Sequence, residues 1–357
     1  MLVIQIPDFG LNRHDTSSVS AYAADVKRAE SLGWDAAFLP DSQLRRRDTY
    51  VLLAAAANCT GSIKIGPLLA NPVTRHPTVT ASSISTIGEL APGRTLLTLG
   101  IGDTAVRLAG LSPATVEQLK RSVITIRTLL SGSPVDVGAE KPAILPFASE
   151  VPVWIAAGGP KTLQMAGSFA DGVFIRVGTD IRNIKLSVDK IRQGAASCGR
   201  DPSSVRLGAV FHTVFVDDSE EALLMGKSMA AGYFEYSPML MENLGMDWGG
   251  ASPSQIKEKY GVWPDFHHSE DLVASGTAVN FLSDEQALAF SLLGDAKMII
   301  SQIVGLIKEA SELSIDFDYI VLHPIPNPRY PDLGSESYME RVPVEIIDDV
   351  KKALSKF

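Results

Sequence analysis

Short apolar runs alternate with amphipathic segments along most of the chain, and this alternation is the feature that most limits its fold. The apolar runs cover residues 2–6, 36–39, 63–65, 95–100, 153–156, 172–175, 205–216 and 319–323. Segments with a helical spacing of apolar residues lie between these runs, as at 19–31, 77–90 and 296–312. Eight strands that alternate with helices in a chain of 357 residues predict an α/β fold, the (β/α)8 TIM barrel. A doubly wound open sheet is the alternative that this pattern allows.

One segment, residues 233–290, interrupts the alternation. It is rich in Met, Tyr, Trp, Pro and Gly, and it follows the seventh predicted strand. Loops at the carboxyl ends of barrel strands carry function, so an insertion there is placed to cover a pocket. We therefore expect a single barrel domain over residues 1–357, with 233–290 as an insertion or lid within it.

Composition excludes several classes of function. A formal charge of −9 argues against a nucleic-acid partner, because such proteins carry a basic face. No run of about 20 apolar residues exists to span a membrane, and the first residues do not resemble a signal peptide. The two cysteines, Cys59 and Cys198, match no metal or redox spacing. These observations predict a cytoplasmic protein with neither a nucleic-acid nor a membrane partner.

In a barrel, the residues that follow each strand form the working face. After the second predicted strand comes Asp41, which either faces the pocket or caps the next helix. After the third comes a Gly-Pro bend that includes Pro67 and Leu68, and then Asn71, whose amide can meet the edge of a heteroaromatic ring. After the fourth, the small residues Gly100 and Gly102 predict close approach of a planar ligand to the backbone.

The fifth predicted strand ends in a sequence suited to bind an anion. Ala157, Gly158 and Gly159 precede Pro160, a residue favoured in the first turn of a helix. Free backbone N–H groups at such a helix start bind phosphate, and Lys161 adds a positive charge. Arg176 follows the neighbouring sixth strand and is expected to bind the same anion. A plain tight turn is the alternative, and the spacing is not that of a dinucleotide-binding fingerprint.

The predicted insertion contains the only adjacent pair of histidines, His267 and His268. Two neighbouring side chains rarely bind one metal ion, and no HxH, HExxH or CxxC motif occurs, so we expect no metal site. Together with Asp41, this pair supplies the candidates for catalytic proton transfer.

These motifs resemble a known family, the luciferase-like flavin-dependent oxidoreductases, in the branch similar to methylenetetrahydromethanopterin reductase. The resemblance is carried by FLPDSQLRRRDTYV at 38–51, by the long stretch 63–110, by VPVWIAAGGPKTLQMAGSFADGVF at 151–174, and by parts of 266–303. It implies a barrel that holds reduced FMN or coenzyme F420. The cofactor phosphate would lie on Gly158, Gly159 and Lys161, and the ring would lie near Asn71 and residues 100–102. It also implies a non-proline cis peptide around residues 67–69, and a homodimer.

Two positions depart from the pattern of the family. Ser42 stands where many members have a histidine, and Gly102 with Asp103 occupies the region in which luciferase has an arginine for phosphate. These departures argue against a luciferase-type aldehyde reaction.

Three functions follow from the resemblance. The leading hypothesis is a monooxygenase that uses reduced FMN and dioxygen on a small organic substrate, with a separate flavin reductase as partner. The alternative is an F420-dependent oxidoreductase that transfers a hydride. The third is a barrel that binds flavin without catalysis.

Overall fold

The structure is a computed structural model that describes residues 4–12, 17–327 and 335–357. It divides into two compact units. The amino-terminal unit comprises Asp8–Ile175 and Asp189–Gly208, and the carboxy-terminal unit comprises Met1–Pro7, Arg176–Val188 and Ala209–Phe357.

The amino-terminal unit is built on six parallel strands, each paired with the next one along the chain. These are β1 (Asp8–Asn12), β2 (Ala36–Leu39), β3 (Lys64–Pro67), β4 (Leu97–Leu99), β5 (Val153–Ala157) and β6 (Gly172–Ile175). Bridges from Ile65 to Thr95 and from Ala70 to Leu99 join β3 to β4. Because all six strands are parallel, their carboxyl ends lie at one edge, where the predicted site residues of this unit also lie.

Helices follow the strands of this unit. They are α1 (Val19–Leu32), α2 (Thr49–Cys59), α3 (Pro77–Leu90), α4 (Thr104–Leu108), α5 (Val116–Leu130) and α6 (Pro160–Phe169). Of α7 (Ile181–Ser197), the residues from Asp189 onward also belong to this unit. Side chains of Ser18, Asp48 and Thr115 cap the starts of α1, α2 and α5 by accepting backbone hydrogen bonds. His76 caps α3 in the same way, through its Nδ1, which accepts the N–H of Thr78.

Glycines make room for large aromatic rings in the core of the amino-terminal unit. Trp154 and Phe174 are both buried, with ring centroids 4.7 Å apart. A Cβ on Gly172 would lie 2.4 Å from the Trp154 ring, and one on Gly208 would lie 2.5 Å from the Phe174 ring. The two rings therefore fit side by side in this core only because these two positions lack side chains.

The carboxy-terminal unit contains β7 (Arg206–Phe215, from residue 209), β8 (Leu292–Gly294) and β9 (Tyr319–Pro324). Strand β8 pairs with β7 in parallel, and the N–H of Ile325 donates to the carbonyl of Thr213. Its helices are α8 (Ser219–Tyr236), α9 (Met239–Glu242), α10 (Pro253–Tyr260), α11 (Leu272–Ala278), α12 (Asp284–Phe290), α13 (Ala296–Glu312), α14 (Ser335–Val342) and α15 (Asp348–Leu354). The interruption predicted at 233–290 is thus a series of short helices, and its role as a lid stays a prediction.

The first strand differs from the prediction. We expected a strand at residues 2–6, of which 2 and 3 lie outside the described residues, and residues 4–6 form no strand. The strand is Asp8–Asn12, in which Phe9 and Leu11 are buried, whereas Ile6 is 40% exposed. Backbone hydrogen bonding decides the position, because the Asp35 carboxylate accepts the Phe9 N–H and the Phe9 carbonyl accepts the Asp35 N–H.

Glu30 gives a prediction about stability. Its carboxylate accepts the N–H groups of Gly61, Ser62 and Ile63 and so joins α1 to the turn before β3. Burial acts to raise the pKa of Glu30, but these hydrogen bonds outweigh it and lower the pKa from 4.5 to about 2. The stabilisation is therefore present above pH 4.5 and is lost as pH falls toward 2.

We expect Glu30→Gln to reduce the free energy of unfolding by about 1–2 kcal/mol at pH 7 and by less at pH 2.5. Urea unfolding at both pH values measures the effect. Glu89→Gln, at an exposed position on α3, is the control. An equal loss at the two pH values would show that the carboxylate charge is not what stabilises this turn.

Candidate active site

The carboxyl ends of β2 and β3 meet in a short stretch of backbone. The N–H of Asp41 donates to the carbonyl of Leu69 at 3.2 Å, and the N–H of Leu68 donates to the carbonyl of Leu39 at 3.0 Å. The peptide bond between Leu68 and Leu69 is cis, as the resemblance predicts for this position. The structure therefore brings Asp41, Pro67 and Leu68 together at one edge of the sheet.

Asp41 is a buried carboxyl group, with 6% of its surface exposed. It does not cap α2, because Asp48 fills that position. Burial raises the pKa of Asp41, and the nearby guanidinium of Arg75 offsets only part of this effect. A carboxyl group whose pKa is raised toward neutrality is suited to give and take a proton during catalysis.

The two glycines after β4 have a packing role that the sequence did not show. A Cβ on Gly100 would lie 3.1 Å from both methyl carbons of Leu69, and one on Gly102 would lie 3.0 Å from Cβ of Asn71. Gly102 also has a φ of 81°, a backbone conformation that residues with a side chain rarely adopt. The absent side chains let the β4 loop pack against the β3 loop, and contact of either glycine with a cofactor ring stays a prediction.

Asn71 is buried and holds its own loop together. Its Oδ1 accepts hydrogen bonds from the N–H groups of Val73 and Thr74 and from the Thr74 hydroxyl. The carbonyl end of the amide is therefore committed to a local turn. The predicted contact of this amide with the edge of a heteroaromatic ring is therefore limited to donation by Nδ2.

The start of α6 has the features of an anion site. Gly159 is the N-cap of this ten-residue helix, no side chain caps it, and Pro160 occupies the first turn. A Cβ on Gly159 would meet no atom within 4 Å, and Gly159 and Lys161 are exposed. Uncapped N–H groups at an open helix start, together with the positive end of the helix dipole, favour a bound phosphate group. Ala157 and Gly158 connect this start directly to β5.

The carboxy-terminal unit contains a cluster of histidines. Four of the five histidines that the structure describes take part, namely His212, His267, His268 and His323. The His212 ring lies 5.4 Å from that of His323 and 6.3 Å from that of His267, measured between centroids. Arg176, which follows β6, places its Nη2 2.8 Å from Nε2 of His212. In this cluster, His323 lies near the end of β9, His212 lies within β7, and His267 and His268 lie in the turn Phe266–His268.

Asp265 connects the two adjacent histidines. Its Oδ1 lies 3.1 Å from Nδ1 of His267, and its Oδ2 lies 2.9 Å from Nδ1 of His268. Burial acts to raise the pKa of Asp265, but the hydrogen bonds with His268 and with the Tyr236 hydroxyl outweigh burial and hold that pKa well below its usual range. Asp265 is therefore ionised at neutral pH, and its hydrogen bond with Nδ1 orients the imidazole of His268.

The buried histidines are neutral at neutral pH. Burial, followed by the neighbouring His268, lowers the pKa of His267 to about 3. The carboxylate of Asp265 acts to raise this pKa and offsets only part of the shift. Burial, followed by the charge of Arg176, also lowers the pKa of His212. Neutral imidazoles can serve as proton acceptors or as metal ligands, and protonation of either ring would require an additional negative group nearby.

The predicted site residues thus fall into two groups. Those from Asp41 to Lys161 lie in the amino-terminal unit, and Arg176, His267 and His268 lie in the carboxy-terminal unit. Sequence analysis missed Asp265, His212 and His323. The signal that was available for His212 is its position as a polar residue within the apolar β7 pattern, where a buried imidazole needs partners.

Comparison with known proteins gives consistent results. The family model described as luciferase-like monooxygenase matches residues 4–310. The 5,10-methylenetetrahydromethanopterin reductase of Methanolobus tindarius is 34% identical over 251 residues, which cover 67% of this chain and 75% of that protein. The enzyme of the same name from Methanopyrus kandleri is 29% identical and covers 84% of this chain and 89% of its own length.

A solved structure resembles the whole chain. It is the coenzyme F420 dependent tetrahydromethanopterin reductase from Methanopyrus kandleri, with a TM-score of 0.76 and 24% identity over 96% of this chain and 99% of that one. The likeness confirms the (β/α)8-barrel fold that the sequence predicts, and it excludes the doubly wound sheet.

Among the described residues, no helix has the length and apolar character needed to cross a membrane.

Proposed function

Because the chain belongs to the luciferase-like monooxygenase family, we propose that it is an oxidoreductase that transfers a hydride between coenzyme F420 and a small organic substrate. The observation that carries this proposal is the similarity to methylenetetrahydromethanopterin reductases over most of the chain. A solved structure of this kind is of an F420-dependent enzyme. The sequence alone placed an FMN-dependent monooxygenase first, and these relatives favour the alternative.

The start of α6 supports the proposed cofactor. F420 carries a phosphate group, and the uncapped N–H groups around Gly159 with the charge of Lys161 would hold it. Residues at the carboxyl ends of β3 and β4, including Leu68 and Gly100, would support the ring. When bound, F420 supplies a carbon centre that accepts or gives a hydride.

Asp41 is the proposed proton donor and acceptor. Reduction of a carbonyl, imine or activated alkene by hydride requires a proton as well, and the reverse reaction releases one. Asp41 is buried, its pKa is raised, and its backbone N–H donates to the carbonyl of Leu69, just after β3. The carboxyl group can therefore remain protonated closer to neutral pH than an exposed aspartate can, and it is held in a fixed place.

Substrate-dependent turnover tests the proposed function. Purified protein is incubated anaerobically with reduced F420 and with panels of ketones, imines and activated alkenes, and the return of oxidised F420 is followed by its visible absorbance. We expect one class to oxidise F420 without oxygen. Turnover only with reduced FMN and dioxygen would establish the monooxygenase instead. Binding of flavin with turnover in neither assay would support a non-catalytic barrel.

We expect a homodimer from the family resemblance and a cytoplasmic location from the composition, and hydride transfer requires no partner beyond F420 and the small-molecule substrate. A separate flavin reductase belongs to the monooxygenase hypothesis alone. Light scattering of the purified chain tests the dimer directly, through a mass of twice 38.2 kDa.

A further inference from the structure

We propose that Asp265, His267 and His268 together bind one divalent transition-metal ion. One ligand atom from each residue lies within 4.8 Å of the other two. The two distances from the imidazole Nδ1 atoms to the carboxylate oxygens are 3.1 Å and 2.9 Å. Ligands bonded to a single ion at about 2.0–2.2 Å are separated by roughly 2.9–3.5 Å in tetrahedral or octahedral geometry. The carboxylate is thus spaced from each imidazole as two ligands of one ion are, and the two imidazole ligand atoms lie within 4.8 Å of each other.

The imidazole of His267 provides an independent indication. Its Nδ1 is buried and makes no hydrogen bond among the described residues, although Oδ1 of Asp265 is 3.1 Å away. The distance suits a hydrogen bond, but the angle does not. Buried polar atoms are nearly always satisfied, so an orphan such as this one calls for a partner. A cation held jointly by Nδ1 and the carboxylate would satisfy it.

The carboxylate of Asp265 retains the capacity to bind an ion. Its Oδ1 accepts the backbone N–H of His268, and its Oδ2 accepts the Tyr236 hydroxyl, both at 2.9 Å. Each carboxylate oxygen has two lone pairs, so one on each oxygen remains for a cation when the imidazoles turn their Nδ1 lone pairs toward it. Hydrogen bonds of this kind also fix the orientation of ligating carboxylates in metal sites.

The His267 imidazole packs against α8, whereas the His268 side of the three residues is open to solvent. A Cβ on Gly232 of α8 would lie 2.1 Å from Nδ1 of His267, so this helix lacks a side chain where the ring packs. Asp265 is buried, whereas the side chain of His268 is 42% exposed. A metal ion bound here would therefore face solvent on the His268 side, with coordination positions free for water or another ligand.

The ligand chemistry selects the class of metal. Two imidazole nitrogens and one carboxylate suit Zn²⁺, Co²⁺ and Fe²⁺, whereas Mg²⁺ and Ca²⁺ require oxygen ligands. From sequence we expected no metal site, because adjacent histidines rarely share an ion. The fold changes this expectation, since it places a buried carboxylate beside both rings.

Cobalt binding tests the proposal without reference to activity. Chelator-treated protein is titrated with Co²⁺ and followed by its visible d–d absorption, and Zn²⁺ binding is measured by calorimetry. We expect one equivalent of each metal to bind. Asp265→Asn, which preserves shape, and His268→Ala, at an exposed position, should each weaken Zn²⁺ binding by roughly 100-fold. His76→Asn, which alters an exposed histidine at the start of α3, should not change it.

Two results would overturn the proposal. One is a wild-type protein that binds no stoichiometric Co²⁺ or Zn²⁺. The other is metal binding that survives both substitutions, which would place the ion elsewhere in the chain. Circular dichroism of each variant confirms folding, and the exposed position of His268 keeps the test valid if Asp265→Asn unfolds the protein. Neither result depends on whether F420 is the cofactor.

Discussion

Replacement of Asp41 with asparagine is expected to lower the turnover number of F420-dependent hydride transfer by about 10²- to 10⁴-fold. Asparagine matches aspartate in shape but cannot donate or accept the proton that accompanies the hydride. Binding of F420 should be unchanged, because the residues proposed to hold the phosphate lie at the start of α6. Measurement of turnover at saturating substrate, together with direct titration of F420, separates these two effects.

The same substitution should change how rate and stability depend on pH. Burial raises the pKa of Asp41, so protonation favours the folded state, and this contribution is lost as pH rises through the raised pKa. Asp41→Asn should therefore have a higher Tm than the wild-type protein at pH 8, and the difference should shrink at acid pH. In the reducing direction the wild-type rate should fall as pH rises, because the carboxyl group loses its proton.

Another group would be the proton donor if Asp41→Asn lost less than tenfold in turnover and kept the wild-type pH profile. Thr49→Ser supplies a control for local packing, since it removes one methyl group beside Asp41 and keeps the hydroxyl that hydrogen-bonds to the carbonyl of Pro40 and lowers the pKa of Asp41. A loss in Thr49→Ser as large as that in Asp41→Asn would identify a structural effect.

Replacement of Gly159 with aspartate should separate cofactor binding from helix stability. An aspartate at this N-cap can accept the free N–H groups of α6 and interact with the helix dipole, which stabilises the fold by a few tenths of a kcal/mol to about 1 kcal/mol. Its negative charge would lie where the phosphate binds. We therefore expect F420 affinity to fall by roughly 10- to 100-fold, equivalent to about 1.4–2.8 kcal/mol.

Gly159→Asn is the matched control, because asparagine caps the helix in the same way but carries no charge. It should give a similar stability and a smaller loss of affinity. Titration with F420 and urea unfolding of both variants measure the two quantities. Equal affinities for the aspartate and asparagine variants would show that no phosphate binds at the start of α6.

The sequence predicts most strands and helices of this fold well, because the spacing of apolar residues indicates which side chains are buried. Strands β2 and β6 have the predicted bounds, and the TIM barrel is confirmed. The first strand was misplaced because residues 2–6 are more apolar than Asp8–Asn12, although the latter form the backbone pairs with β2. Strand β8 was missed because three residues are too few for a period to show.

The candidate site was predicted less completely, since its contacts join residues far apart in the chain. His212 and His267 are 55 positions apart, and no local pattern indicates that their rings lie close together. The uncapped start of α6 was predictable, because glycine and proline at a helix start act through local geometry. The packing role of Gly100 and Gly102 was not, because it depends on which atoms occupy the space beside them.

An anaerobic titration of the purified protein with reduced F420 and, separately, with reduced FMN shows which of the two is the cofactor. We predict a micromolar dissociation constant for reduced F420 that is at least tenfold lower than that for reduced FMN. Tighter binding of reduced FMN would rule out F420 as the preferred cofactor and restore the monooxygenase hypothesis.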